Sequence, residues 1–334
     1  MSLAILFGVA GLFGCEKTVQ EENKALTDRS WESAPFIQKS LFDRVALPTR
    51  DLLEHLRFQN KKEGRSEPTT TGIDEKDLNL LRGALSKLPR KILVSMNAKL
   101  VTISVVNDLG SSGYSNLVLN KDGFPSRGFI VVDKKLLSEA PNDWITRRES
   151  SPFNCVSPEK IVAKITSDAR DRESALQYIL LHEFAHVFSE GTAVNPFLHD
   201  RPDQKDLDQR DYGPLSWRVV DSHYVGKADD KFPDRARIQY YPVSTPSLSC
   251  SDAVRVYSEL EVSAFPALYA VRDPFEDFAE SFANYVHVVI MKRPFEIGIL
   301  RDDKTLKKYS ACWAEPRCAE KKKYIDRLYS SFGE

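Results

Sequence analysis

The sequence carries no surplus of charge. Lysine plus arginine number 47 and aspartate plus glutamate 48, a net charge of −1 over 334 residues. A chain balanced in this way offers neither a nucleic-acid surface nor a polybasic membrane patch. After the N-terminus, no apolar run approaches the roughly 20 residues of a spanning helix. The five cysteines show no C-x-x-C spacing, which argues against a cysteine zinc site. No internal repeat is visible. Histidine is scarce at six, so a pair at metal-ligand spacing carries weight.

What is present is enough for a sizeable core. Apolar residues make up 42% of the chain, enough for one large domain or two modest ones. Met1 to Gly14 is uncharged and mostly apolar, and Cys15 follows a small residue. This resembles a bacterial lipoprotein signal with Cys15 as the lipidated residue; a secretory signal or a short buried helix are the other readings. Glu16 is not the aspartate that retains lipoproteins at the inner membrane. The expectation is therefore export and a lipid anchor in the cell envelope, at the outer membrane. Four cysteines then remain for an oxidising compartment. Cys312 and Cys318 are close enough to pair across a turn containing Pro316, which leaves Cys155 for Cys250, one of three possible connectivities.

Along the chain, residues 16–72 read as a polar tether followed by a helical extension. Apolar residues recur at helical spacing from Phe36 to Phe58, interrupted at Pro48, and Gln59 to Gly72 reads as a loop. Asp74 is positioned to cap a helix running to about Leu88. The period then changes. Leu100 to Val106 and Gly128 to Asp133 are rich in β-branched residues, and Ser115 to Asn120 suits a further strand. Gly110-Ser111-Ser112-Gly113 reads as a flexible turn. The strand Gly128–Asp133 is either the edge that pairs with an extended peptide or an interior strand. Gly191 to Val243 looks irregular and dense in acidic, basic and aromatic residues. It fits an insertion, at about 191–250, that rims a cleft. Helices resume near Asp252 and from Pro274 to about Met291, and 296–334 reads as a helical C-terminal extension.

The chemistry concentrates in His182-Glu183-Phe184-Ala185-His186. On a helix, residues four apart share a face, so both imidazoles can hold one metal ion. Glu183 between them is the candidate base. A catalytic zinc takes three protein ligands and leaves one position to water. Ser189 and Thr192 stand where the metzincin layout needs glycine and histidine, so the third ligand lies elsewhere. Glu276 and Glu280 are four apart on one face of a later helix, flanked by Phe275, Phe278, Ala279 and Phe282. A phenol at Tyr269 can donate to an oxyanion.

H-E-F-A-H followed by Y-x6-E-D-F-A-E-S-F resembles the gluzincin metallopeptidases related to anthrax toxin lethal factor. The resemblance covers about residues 75–295. It implies an α+β, zincin-like catalytic domain at 73–295, with a small mixed sheet, the H-E-x-x-H helix and a third-ligand helix. It implies one Zn2+ ion held by His182, His186 and Glu276, with Glu280 supporting the site and Tyr269 assisting the transition state. The substrate implied is a peptide or protein. His287 reads more simply as a core histidine, His223 as a weak substrate contact, and His55 and His199 have no motif around them. The rival reading is a non-catalytic, zinc-containing surface lipoprotein acting as a binding module. Its fourth ligand would come from His199, His223 or an aspartate of the insertion. A third reading is a peptidase kept latent by the insertion.

Overall fold

The β-branched runs form the centre of the fold. In the computed structural model, residues 39–120, 125–156, 158–168, 170–189, 192–194, 202–242 and 245–333 are described. The segment ending at Cys15, the tether and His199 lie outside them. Strand β2 (Leu100–Val106) is buried along its whole length, as expected of a strand covered on both faces. It pairs in parallel with β1 (Val45–Ala46) and β4 (Pro125–Asp133), while β3 (Gly113–Leu119) runs antiparallel to β4. The order is β1-β2-β4-β3. Gly128–Asp133 is therefore interior, and β3 is the edge. The reason is visible in the side chains: Phe129, Ile130, Val131 and Val132 are fully buried, whereas the start of β3 is Gly, Tyr, Ser and Asn and only half-buried.

Helices cover both faces of this sheet. Helix α1 (Arg50–Lys62), capped by the Thr49 side chain, sets Leu52 and Leu56 against Val101, Phe129 and Val131. On the other face lie α2 (Glu75–Ser86), α3 (Arg90–Lys99) and, further on, α6 (Ser174–Ser189). Helix α2 starts at Asp74 in a capping box with Asp77, which satisfies orphan amides at both positions. Short α4 (Lys135–Ser138) and α5 (Pro141–Ser150) lead to β5 (Phe153–Asn154) and β6 (Glu159–Lys164). Helix α6 is apolar almost all round, and nearly every residue in it is buried, the pattern of a central helix. Two glycines let it approach the sheet. A Cβ on Gly113 would meet Glu183 Oε1 at 2.6 Å and Ile179 Cγ2 at 2.7 Å, and one on Gly128 would meet Val187 Cγ1 at 2.5 Å.

The insertion is more ordered than its composition suggests. Its described part contains α7 (Gln204–Asp208) and a hairpin of β7 (Trp217–Val220) and β8 (His223–Gly226). Asp221 and Ser222 at the hairpin turn have φ of 49° and 58°, as a two-residue turn of the I′ type requires. Tyr212, Trp217 and Phe232 are buried in the common core. The segment ends at β9 (Leu248–Ser249), which pairs with β5, and Cys155 is joined there to Cys250 at a Cα separation of 4.5 Å. Helices α8 (Ala253–Leu260) and α9 (Pro274–Tyr285) follow, and α9 continues as a π-helical turn, Val286–Ile290.

The C-terminal extension differs from the helical expectation in its first half. Strands β10 (Glu296–Arg301) and β11 (Lys304–Ser310) form a hairpin that joins β6. Ile297, Ile299 and Tyr309 point inward, and a period of two is a strand's period. The charged β11 hides that alternation. Helix α10 (Ala319–Ser331) then closes the chain, held to the hairpin by Cys312–Cys318 with a Cα separation of 5.8 Å. The whole is mixed α+β.

Candidate metal centre

Helix α6 presents His182, Glu183 and His186 toward α9 and β3. Its start is fixed by Asp171, whose carboxylate accepts from the backbone amides of Glu173 and Ser174 at 2.8 and 3.0 Å. Helix α9 is fixed in the same way. Asp273 accepts from the amides of Phe275 and Glu276, both at 2.9 Å, and Pro274 takes the first helical position, where a missing N–H costs nothing. This start sets Glu276 opposite the two histidines.

Three donor atoms converge. His182 Nε2 lies 3.1 Å from Glu276 Oε2, His186 Nε2 lies 3.2 Å from His182 Nε2, and His186 Nε2 lies 3.5 Å from Glu276 Oε2. A tetrahedral zinc with ligands at about 2.0–2.1 Å has ligand–ligand edges of about 3.3–3.4 Å. The triangle therefore has the size of one tetrahedral face, and the two-imidazole, one-carboxylate set suits zinc. Among the described residues these three make up the group.

The surroundings orient the donors. His182 Nδ1 is 3.2 Å from Glu280 Oε2, off the ideal hydrogen-bond line. Burial alone would lower the His182 pKa, but the Glu276 and Glu280 carboxylates outweigh it and raise it to about 10. Burial opposes ionisation of Glu276 too, yet hydrogen bonds from His182 and His186 hold it well below the usual carboxylate range. Glu280 is wholly buried. It accepts from Arg148 Nη2 at 2.7 Å, Arg148 Nη1 at 3.1 Å and the Tyr178 hydroxyl at 2.7 Å. Against the cost of burial, the Arg148 charge and the His182 ring bring its pKa down to about 2. Arg148 also pairs with Glu149, which accepts from Tyr257 at 3.0 Å and Tyr240 at 3.3 Å.

Glu183 and Tyr269 line the same cleft, about 370 Å³ in volume, as the three donors. Glu183 Oε2 accepts from the Ser115 hydroxyl on β3 at 2.7 Å. The Tyr269 ring sits 5.6 Å from that of His182. Burial and the Glu276 charge push the Tyr269 phenol well above its usual pKa, so it stays protonated. Arg272 Nη1 donates to the Tyr269 oxygen at 2.5 Å and to Glu276 Oε1 at 2.9 Å. Because Arg272 occupies a lone pair of the phenol, the phenol's own hydrogen is available to a ligand.

The other described histidines stand apart. His287 is buried and shares Nε2 with the carbonyls of Ile165 and Pro294 at 2.9 and 3.1 Å. His223 is exposed in the β7–β8 hairpin and pairs with its own turn. His55 bonds the Tyr114 hydroxyl at 3.0 Å behind the cleft wall.

Ser115, Arg148 and Arg272 escape the sequence reading. For Arg272 a signal existed: it lies three residues after Tyr269 and four before Glu276, which is helical spacing. Ser115 sits beside a turn-like run and carries no motif. Arg148 lies in Arg-Arg-Glu-Ser, which looks like a solvated helix face.

Comparison with protein-family models, with curated proteins and with solved structures finds no match.

Proposed function

We propose that this protein is a zinc-dependent endopeptidase of the gluzincin type, built on a zincin-like domain. The observation that carries the reading is three donor atoms 3.1–3.5 Å apart on one wall of a cleft that also holds Glu183. His182, His186 and Glu276 would hold the ion. When bound there, zinc supplies Lewis-acid polarisation of a carbonyl and lowers the pKa of water toward about 7. Glu183 takes a proton from the attacking water and returns it to the leaving amine. Ser115, bonded to Glu183 Oε2, limits the orientation of that carboxylate. Tyr269 donates to the oxyanion, with Arg272 holding its oxygen. No described strand pairs with the outer edge of β3, and its residues Gly113, Tyr114 and Ser115 line the cleft. An extended peptide can add there as a further strand. The joined cysteine pairs support an oxidising compartment; the lipid anchor at Cys15 is proposed on the sequence alone.

The test is cleavage of casein by the zinc-loaded protein, with and without chelator, and the same assay on Glu183→Gln. The expected result is chelator-sensitive cleavage that falls at least about 10²–10⁴-fold in the variant, whose zinc content by metal analysis is unchanged. Turnover by Glu183→Gln within tenfold of the parent, at about equal zinc, overturns the mechanism. Zinc bound stoichiometrically without cleavage favours the binding-module reading instead.

A further inference from the structure

Next to the metal cleft lies a second groove of about 890 Å³, more than twice the size of the first. The two share Arg65, Gly110, Ser111, Ser112 and Tyr241 on their walls. The turn Gly110–Ser112 and the Tyr241 side chain therefore form the partition between them.

Tyr241 is held unlike its neighbour. Tyr240 is anchored, with its ring 4.5 Å from that of Tyr269 and its hydroxyl 3.3 Å from Glu149 Oε2. Tyr241 sits at φ +50°, a left-handed conformation that a bulky residue adopts only under constraint. Its amide reaches Ser151 Oγ at 3.3 Å. Its hydroxyl is buried beside Ser112 and Arg147 without a well-formed hydrogen bond to either. A buried hydroxyl so poorly bonded, on a strained backbone, favours a change of partner once another donor or acceptor enters.

We propose that the two spaces are one substrate groove, that Tyr241 divides it, and that its occupant is an extended polypeptide segment longer than the metal cleft alone accommodates. This rests on the peptidase reading and extends its substrate site from the metal cleft into the second groove. The wall chemistry fits such an occupant. Among the described residues lining the second groove, Leu136 and Tyr241 are the only large apolar side chains. Three of its cations, Arg65, Lys134 and Arg147, already face Glu63, Asp77 and Glu139. What remains suits peptide backbone and small polar side chains, neither an apolar anchor nor a run of like charge. The position fits as well, since Gly110–Ser112 leads directly into the edge strand β3.

The experiment uses nested casein-derived peptides around one sequence, from about four to about twelve residues or roughly 14 to 40 Å extended. Cleavage is measured as kcat/KM with the zinc-loaded protein. Binding is measured by fluorescence anisotropy with zinc-loaded Glu183→Gln. Both are expected to improve about tenfold or more as the peptide grows on one side, since remote contacts contribute binding energy. The ratio of long to short should collapse in Thr71→Trp, which fills the second groove, and grow in Tyr241→Gly, which removes the partition and the strain. The wild-type length series stands by itself if either variant fails to fold. Binding and cleavage that ignore length overturn the groove and leave the peptidase reading standing. Tighter binding of long peptides that are never cut supports the groove and overturns the peptidase reading. Failure of both lengths to bind overturns both.

Discussion

Helix α9 carries two fully buried carboxylates, Glu280 and Asp277, within one turn, and the molecule treats them in opposite ways. Glu280 faces the donor cluster. An arginine fork, a phenol and a histidine ring surround it, and its pKa falls to about 2 although burial opposes this. Asp277 faces the insertion and the tail. It receives Lys321 Nζ at 2.5 and 2.6 Å, Trp217 Nε1 at 3.0 Å and Ser281 Oγ at 3.1 Å. There burial prevails, raising the carboxyl and lowering the lysine. The lesson is that charge burial alone does not mark a functional group. Glu280 is a fixed anion whose partner His182 belongs to the His182–His186–Glu276 cluster. Asp277 is a latch that ties α9 to β7 and α10.

The largest expected effect breaks the latch. Lys321→Met leaves Asp277 buried without its counter-charge, and loss of one partner of such a pair costs about 3–5 kcal/mol. Denaturant unfolding should show that loss, and Asp277→Asn combined with Lys321→Met should recover most of it. Zinc bound per folded molecule should stay unchanged in both. A fall in zinc stoichiometry of the folded fraction would mean that the two sides of α9 are not separable.

A second contrast sets a histidine at the end of α9 against one on α6. His182 is raised to about 10 among carboxylates, whereas His287 is lowered to about 4 by burial and by the Arg293 charge. With an unfolded value near 6.5, the folded chain binds fewer protons at His287 between pH 4 and 6.5 than the unfolded chain does. Its contribution is complete above pH of about 6.5 and is lost as pH falls through about 4, to a total of roughly 3 kcal/mol. In the presence of chelator, the parent should lose more stability than His287→Gln across that window. Parallel curves would show that His287 does not titrate in this way.

Local patterns made the histidine helix legible in the sequence. His182 and His186 are one turn apart, and so are Glu276 and Glu280; both spacings survive in the fold because a helix preserves them. The β-branched runs at Leu100–Val106 and Gly128–Asp133 likewise became strands. Pairing was not legible, because it is non-local. Parallel β2 and β4 take the interior, and the strand expected at 115–120 becomes the edge, extended back to Gly113 beside the His182–His186–Glu276 cluster. Arg148 stayed hidden because its partner Glu280 is 132 residues away. The tail was misread because lysines on β11 mask a strand's alternation, and the insertion because scattered aromatics reveal their burial only once Trp217 meets Asp277.

The smallest expected effect sharpens the comparison from the functional side. Glu280→Gln keeps the volume and removes the charge next to His182. Arg148 is not stranded, since Glu149 remains beside it at 2.9 Å. The cost to folding of the metal-free protein should therefore be less than that of Lys321→Met. The cost to the metal should be a loss of about 10–100-fold in affinity, or roughly 1.4–2.7 kcal/mol, because a neutral amide orients and polarises the imidazole less well than a carboxylate. Competition with a chromophoric chelator at fixed pH measures the first, and denaturant unfolding with excess chelator measures the second. Unchanged zinc affinity together with a large loss of folding stability would place Glu280 with Asp277 as a latch, and the division of α9 into a functional and a structural side would fall.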